Sequence, residues 1–437
     1  MEQYMKNKIR NIILLIISIL IYACFGWKNI PYIMFSIITT FIAGKHITKQ
    51  EKRKKLILVS TIIVNSSVLI IPKVMLYVKQ EFNCFNSLNM FMAVGLSYYT
   101  LQVIAYIVDV YSNKIEPEKS IWRYMLCIMY IPCLFIGPIN KYEDMKKTLF
   151  EEKVIIDSNI ILQGLVRIVW GALKKLVIAG RIAIIISTIK TNMYSGAYAL
   201  FAMLLYSIQI YADFSGGIDM VLGISKMLGI KLVENFNSPY MSENVKEFWK
   251  RWHMSLSNWL KNYIYIPLGG NRCSKIKNKI NIIITFAISG FWHGINYIVW
   301  GLVHGVLVSI GNYKTKSKII NRIVNYIIIS FTWCFFIWDN TKVALQMLMS
   351  VFTKSNYKEL IINVTNLGLN MPNIIVLFIF TIILFIYESN QKQIMEFFQR
   401  KSLEFKMITL FSLILLTTVL GIYGIGFNVN EFIYSKF

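Results

Sequence analysis

The sequence predicts an all-α, polytopic membrane protein, and three observations carry that prediction. Of its 437 residues, 56% are hydrophobic, and the mean hydropathy is +0.54, too apolar for a soluble chain of this size. Several apolar runs are long enough to cross a hydrocarbon core of about 30 Å. The charges fall between those runs: 46 Lys and Arg against 22 Asp and Glu, a formal net +24. Basic loops beside apolar runs point to anionic lipid head groups, and they exclude nucleic acid as the reason for the excess. The six cysteines (Cys24, Cys84, Cys127, Cys133, Cys273, Cys334) form no CxxC pair. They read as small buried hydrophobes, with no disulfide framework and no metal site.

Taken in order, residues 11–25 and 30–44 are two apolar runs joined by Gly26-Trp27-Lys28-Asn29, the first read as a retained membrane helix and not a cleaved signal. The second is short enough for a tilted span or a re-entrant hairpin. Lys45 to Lys55 is the densest basic run and places that loop in the cytoplasm. A span at 56–78 is expected to break near Pro72, and another runs from 88 to 109. Residues 121–137 close at Gly137-Pro138-Ile139. The long segment 160–190, with Arg167, Lys174, Lys175 and Arg181 inside it, predicts a bent or partly interfacial helix. Apolar runs at 197–212, 216–230, 281–311, 319–338, 373–388 and 406–424 bring the total to about eleven crossings. No repeat, linker or soluble domain is visible, so residues 1–437 read as one membrane domain.

Three of the four histidines, His253, His293 and His304, lie between Tyr211 and His304. From Val245 to Ile264 apolar residues recur every three or four positions, with Lys246, Lys250, Arg251 and Lys261 opposite. That pattern predicts one Trp-rich amphipathic helix lying in the interface. His253 sits on the border of its faces, either bonded to a head group or neighbouring loop or turned inward. His293, beside Trp292 and Gly294, follows the apolar run 281–291. An ionisable group at that depth is either a site for proton transfer or a core histidine bonded to a carbonyl. In a continuous helix His304 would share a face with it about 16 Å away, too far for a common metal. Gly301 and Gly305 flank His304 at a spacing typical of tight helix packing, which suits a structural or tunnel-lining role. Asp213 and Asp219 either line a polar path or pair with Lys or Arg. Gly269-Gly270-Asn271-Arg272 lacks the Lys-Ser/Thr of a nucleotide-binding loop. No G-x-S-x-G nucleophile motif is present.

Several motifs together resemble one family. They are Phe248-Trp249-Lys250-Arg251-Trp252-His253-Met254-Ser255-Leu256-Ser257, Tyr265–Arg272 and Phe291-Trp292-His293-Gly294, supported by Tyr211–Gly216 with Asp219, Gly95–Gln102 with Asp109-Val110-Tyr111, and Gly137-Pro138-Ile139. Over roughly residues 88–340 the chain is similar to the membrane-bound O-acyltransferases, most closely to their bacterial alginate O-acetyltransferase branch. The resemblance implies interfacial and re-entrant helices around a central tunnel in a bacterial cytoplasmic membrane. It implies transfer of an acyl group, acetyl in this branch, from a cytoplasmic thioester such as acetyl-CoA to an exported polysaccharide, with no permanently bound cofactor. His293 and His253 match the family's catalytic motif histidines, and Trp292, His304, Asp213, Asn271 and Arg272 would support or line the site. Because no serine-esterase block is present, the final transfer is expected to need an extracytoplasmic esterase-like partner. A D-alanyl group delivered to teichoic acid is the alternative substrate pair, and a transporter or flippase the alternative class. One departure is Phe336-Ile337-Trp338-Asp339, where the acetyltransferases tend to carry Phe-Phe-Arg-Ala.

Overall fold

The computed structural model describes residues 2–82, 91–153, 157–311, 315–354 and 356–423. Those residues form helices and no strands, in two compact units, 1–156 with 225–233 and 157–224 with 234–437. Among the described residues seven helical stretches are long and apolar enough to cross a membrane, and one shorter apolar helical stretch is Ile295–Ile310. The protein is a multi-pass membrane protein.

The smaller unit contains α1 (Glu2–Cys24), α2 (Asn29–Ile47), α3 (Lys54–Phe82), α4 (Leu96–Tyr111), α5 (Ile121–Met129), α6 (Ile131–Phe135) and α7 (Tyr142–Lys146). The break expected at Pro72 does not occur, and α3 runs through it. One missing N–H is tolerated inside a membrane helix, where neighbouring groups re-satisfy the freed carbonyl. The start of the run at 88 lies outside the described residues, and α4 begins only at Leu96. The helix breaks at Tyr130 and ends after Phe135, in agreement with the expected stop at Gly137-Pro138. The rings of Tyr106, Tyr124 and Tyr142 pack at centroid distances of 4.5 to 5.6 Å. Glu118 accepts from the Tyr142 hydroxyl and from the Lys119 and Ser120 backbone N–H groups.

The larger unit begins with α8 (Ser158–Leu173), capped by Asp157 accepting from the Ile160 N–H. A π-helical turn, Lys174–Ala179, leads into α9 (Gly180–Thr191), the bend that the charges in 160–190 announce. The runs 197–212 and 216–230 are not separate: α10 (Ala197–Met227) passes straight through Asp213–Ser215. Those polar residues do not end the helix because lysines answer them. Lys175 pairs with Asp213, and Lys174 donates to Ser215 Oγ at 2.8 Å. Next come α11 (Val245–Arg251), α12 (Met254–Leu260), α13 (Lys275–His293), α14 (Ile298–Ile310), α15 (Lys318–Thr332), α16 (Cys334–Ile337), α17 (Thr341–Thr353) and α18 (Tyr357–Ile362). The unit ends with α19 (Met371–Arg400), kinked at Asn390, and α20 (Leu403–Leu420).

Two expectations in the motif region need correction. The amphipathic stretch is not one helix: Trp252 is extended and His253 left-handed, at φ 43°, so α11 and α12 meet in an elbow. Nor are His293 and His304 on one continuous helix. Gly294, at φ 147°, turns the chain through Ile295–Tyr297, and α13 and α14 pack as an antiparallel hairpin. The close packing expected around His304 is present. A Cβ on Gly301 would sit 2.3 Å from the Phe286 carbonyl oxygen, and one on Gly305 2.8 Å from Ile283 Cα.

Candidate active site

The elbow is built by partners outside its own helices. Asn244 caps α11 by accepting from the Glu247 N–H at 2.9 Å, and Glu247 Oε2 accepts from the N–H of Glu243, the residue before the cap. At the other end Asn235 takes over the donors that would have continued the helix. Its carbonyl oxygen accepts from the Met254 N–H at 2.9 Å, and its side-chain oxygen from the Ser255 N–H at 3.0 Å. The same side-chain oxygen lies 3.3 Å from His253 Nδ1. His253 thus bonds a neighbouring loop, one of the two simple readings of its position. Burial lowers its imidazole from 6.5 to about 3, only partly opposed by a backbone hydrogen bond, so the ring is neutral at pH 7.

The fold gathers all three motif histidines into one buried aromatic cluster. His253 packs against Phe214 of α10, with centroids 4.9 Å apart, and lies 6.3 Å from Trp292. Trp292 meets His293 at 4.7 Å, and His293 meets Trp300 at 5.6 Å and Phe336 at 5.5 Å. Trp300 reaches His304 at 4.9 Å. The Trp249 indole N–H donates to His304 Nδ1 at 3.1 Å, which leaves the His304 proton on Nε2. The hairpin turn at Gly294 brings Trp300 back beside His293, and His304 stands one turn beyond Trp300 on α14.

A cleft of about 660 Å³ approaches this cluster. Its floor includes Trp249, Met254, Phe286 and Ser289, and Lys246, Lys250 and Lys261 line its exposed edge. None of the three histidine rings lines it, yet it ends at a neighbour of each. Met254 follows His253, Ser289 is one turn before His293, and Trp249 bonds His304. Such a space, apolar inside and cationic at the mouth, fits a chain-like ligand with an anionic end.

The other predicted residues fall into different places. Asn271 lines the cleft, whereas Arg272 is exposed on the turn after Gly269. Asp213 is buried and paired with Lys175, and Asp219 binds Lys174 at 2.6 Å and Arg167 at 2.9 Å. For both acids the ion-pair reading is the one the structure shows. In the divergent Phe336–Asp339 stretch, Phe336 touches His293, while Asp339 is exposed near Lys190 (3.5 Å) and Tyr297 (3.3 Å). Sequence reasoning missed Asn235 and Trp300: no spacing rule singles out a lone Asn, and Trp300 stands in an apolar run where a core residue is expected.

The profile of the membrane-bound O-acyltransferase family matches residues 118–337. The chain is 33% identical over 395 residues to the peptidoglycan O-acetyltransferase of Helicobacter pylori, covering 80% of this chain and 75% of that one. It is 31% identical over 302 residues to a probable alginate O-acetylase of Pseudomonas aeruginosa, covering 67% of this chain and 58% of that one. A teichoic acid D-alanyltransferase of Bacillus subtilis is 31% identical over 245 residues, 52% of this chain and 61% of that one.

Proposed function

The chain belongs to the membrane-bound O-acyltransferase family and is an acyltransferase, and we propose that it moves an acetyl group from a cytoplasmic thioester across the membrane for the O-acylation of an exported cell-surface polysaccharide. The observation that carries this reading is the buried histidine cluster at the end of a lysine-edged cleft. The lysines would hold the anionic end of the donor, with its thioester directed toward the histidines. In the step proposed, the imidazole of His293 takes the proton of the acceptor hydroxyl as the oxygen attacks the thioester carbonyl. The carbon–sulfur bond then breaks, and the proton leaves with the thiol. His253 is neutral at pH 7, so it can assist by hydrogen bonding without placing a charge in the cluster. The acetyl group is favoured over D-alanyl because the relatives matched over more of the chain are named for O-acetylation. The membrane would be the bacterial cytoplasmic membrane, and an extracytoplasmic esterase-like partner would pass the acetyl group from that first acceptor to the polysaccharide.

The test is ester-linked acetate released from surface polysaccharide by mild base, comparing cells with the wild type and with His293→Ala at equal membrane levels. Acetate lost in the variant supports both the acetyl donor and the role of His293. A change confined to ester-linked D-alanine moves the reading to the aminoacyl donor. No dependence of either ester on the protein removes polysaccharide acylation.

A further inference from the structure

A second cavity, of about 670 Å³, lies within the larger unit and shares Met254, but no other lining residue, with the lysine-edged cleft. Five charged side chains line it, and three of them are already matched. Glu234 is bound in two places by Arg167, Arg251 is paired with Glu247, and Lys392 is largely exposed beside Glu396. Two are not. Glu388 is only 7% exposed; Tyr211 and Ser238 hydrogen-bond to its carboxyl and the charge of Lys174 reaches it, yet its Oε2 has no hydrogen-bond partner. Arg322 carries a buried Nε that is likewise unpartnered. A carboxyl oxygen left unpartnered on a buried residue that lines a cavity is costly unless something comes to meet it.

The position of the cavity narrows what that is. α19 changes from apolar residues to Ser389-Asn390-Gln391-Lys392 where it kinks, and Glu388 stands at that change. Arg322 is in the second turn of α15, just beyond the polar segment Thr315–Lys318. Both therefore sit at the boundary between hydrocarbon and head groups. Phe236, Met241 and Met395 supply an apolar wall that suits a flexible chain. The occupant needs an acceptor for Arg322, an N–H donor for Glu388, and an aliphatic tail. We propose that the cavity binds an aminophospholipid, with its phosphate on Arg322 and its primary ammonium on Glu388. Because Met254 walls both spaces, the lipid packs against the elbow that carries His253. The site is independent of the acyl-transfer reading, since lipid binding is read without donor or acceptor.

Native mass spectrometry of the full-length protein, titrated with phosphatidylethanolamine, phosphatidylcholine and phosphatidylglycerol of matched chains, tests it. The wild type is expected to hold phosphatidylethanolamine about tenfold more tightly than phosphatidylcholine, which has no N–H to give Glu388. Glu388→Gln should erase that preference, and Arg322→Gln should weaken all three lipids. Lys392→Gln, a change to an exposed cation of the same cavity, should leave the preference intact. Equal binding of phosphatidylethanolamine and phosphatidylcholine by the wild type overturns the proposal whether or not the variants fold. Displacement of the lipid by coenzyme A also overturns it and assigns the cavity to the donor's phosphates.

Discussion

At His253 the backbone and the side chain make separate demands. The backbone sits at φ 43°, where most L-residues pay about 1–2 kcal/mol but Asn pays little. The ring is held neutral by burial. Below the ordinary value of 6.5 the unfolded chain takes up a proton that the folded chain refuses until about pH 3. Folded-state stability is therefore fully present above pH 6.5 and declines as pH falls from there toward 3. His253→Asn should keep the elbow and flatten that acid slope, whereas His253→Ala should flatten it and also lower the melting temperature at pH 8. Thermal melts of the detergent-solubilised variants from pH 8 to pH 5 separate the two effects. Equal melting of the Asn and Ala variants at pH 8 would show that the left-handed backbone is not under strain. The histidines themselves were legible in the sequence, because ionisable residues among apolar helices are rare and expensive. Asn235 was not: its importance comes entirely from where the fold puts its one side-chain oxygen, between His253 and the Ser255 N–H.

Between elements, sequence periodicity was reliable for helical faces and unreliable for helix ends. The apolar positions Phe248, Trp249, Trp252, Leu256 and Trp259 are indeed buried, as one face of a helix requires. The break at 252–253 is invisible to periodicity because the groups that replace the helical hydrogen bonds belong to residue 235. The turn at Gly294 was missed for a related reason, since an 11-residue spacing looks the same in a helix and in a hairpin of two helices. What the sequence did reveal was the small-residue seam, and the seam positions the site. Gly301→Ala would normally gain about 1 kcal/mol of helix propensity. Here the new methyl would meet the Phe286 carbonyl at 2.3 Å, and backbone cannot yield as a side chain would. The change should cost about 1–3 kcal/mol net and part α13 from α14, moving His293 away from Trp300. A lower melting temperature with acyl transfer reduced well beyond the loss of folded protein is the expected result. A stabilised, fully active variant would show that the seam does not set the histidine geometry.

Across the whole molecule, the excess of basic residues was plain from composition, but which charges are structural was not. The sequence left Asp213 and Asp219 open between a polar path and ion pairs, because pairing depends on elements far apart in the chain. In the larger unit Asp219 lies between Lys174 and Arg167, and Arg167 continues to Glu234, so one chain of charge joins α8, the π-helical turn, α10 and the segment before the elbow. The same α10 carries Phe214 against His253, so a displaced α10 is felt at the site. Removing one member of such a network is worse than removing a pair, because it leaves an uncompensated charge out of water. Asp219→Asn should therefore destabilise the protein by about 3–5 kcal/mol, with Lys174 stranded at 3% side-chain exposure. Adding Lys174→Met should restore most of that loss, since Arg167 keeps Glu234 as its partner. Melting temperatures of the wild type, the two single variants and the double variant close the cycle. If the two losses simply add, Lys174 and Asp219 are not coupled, and the charge chain is no brace for α10.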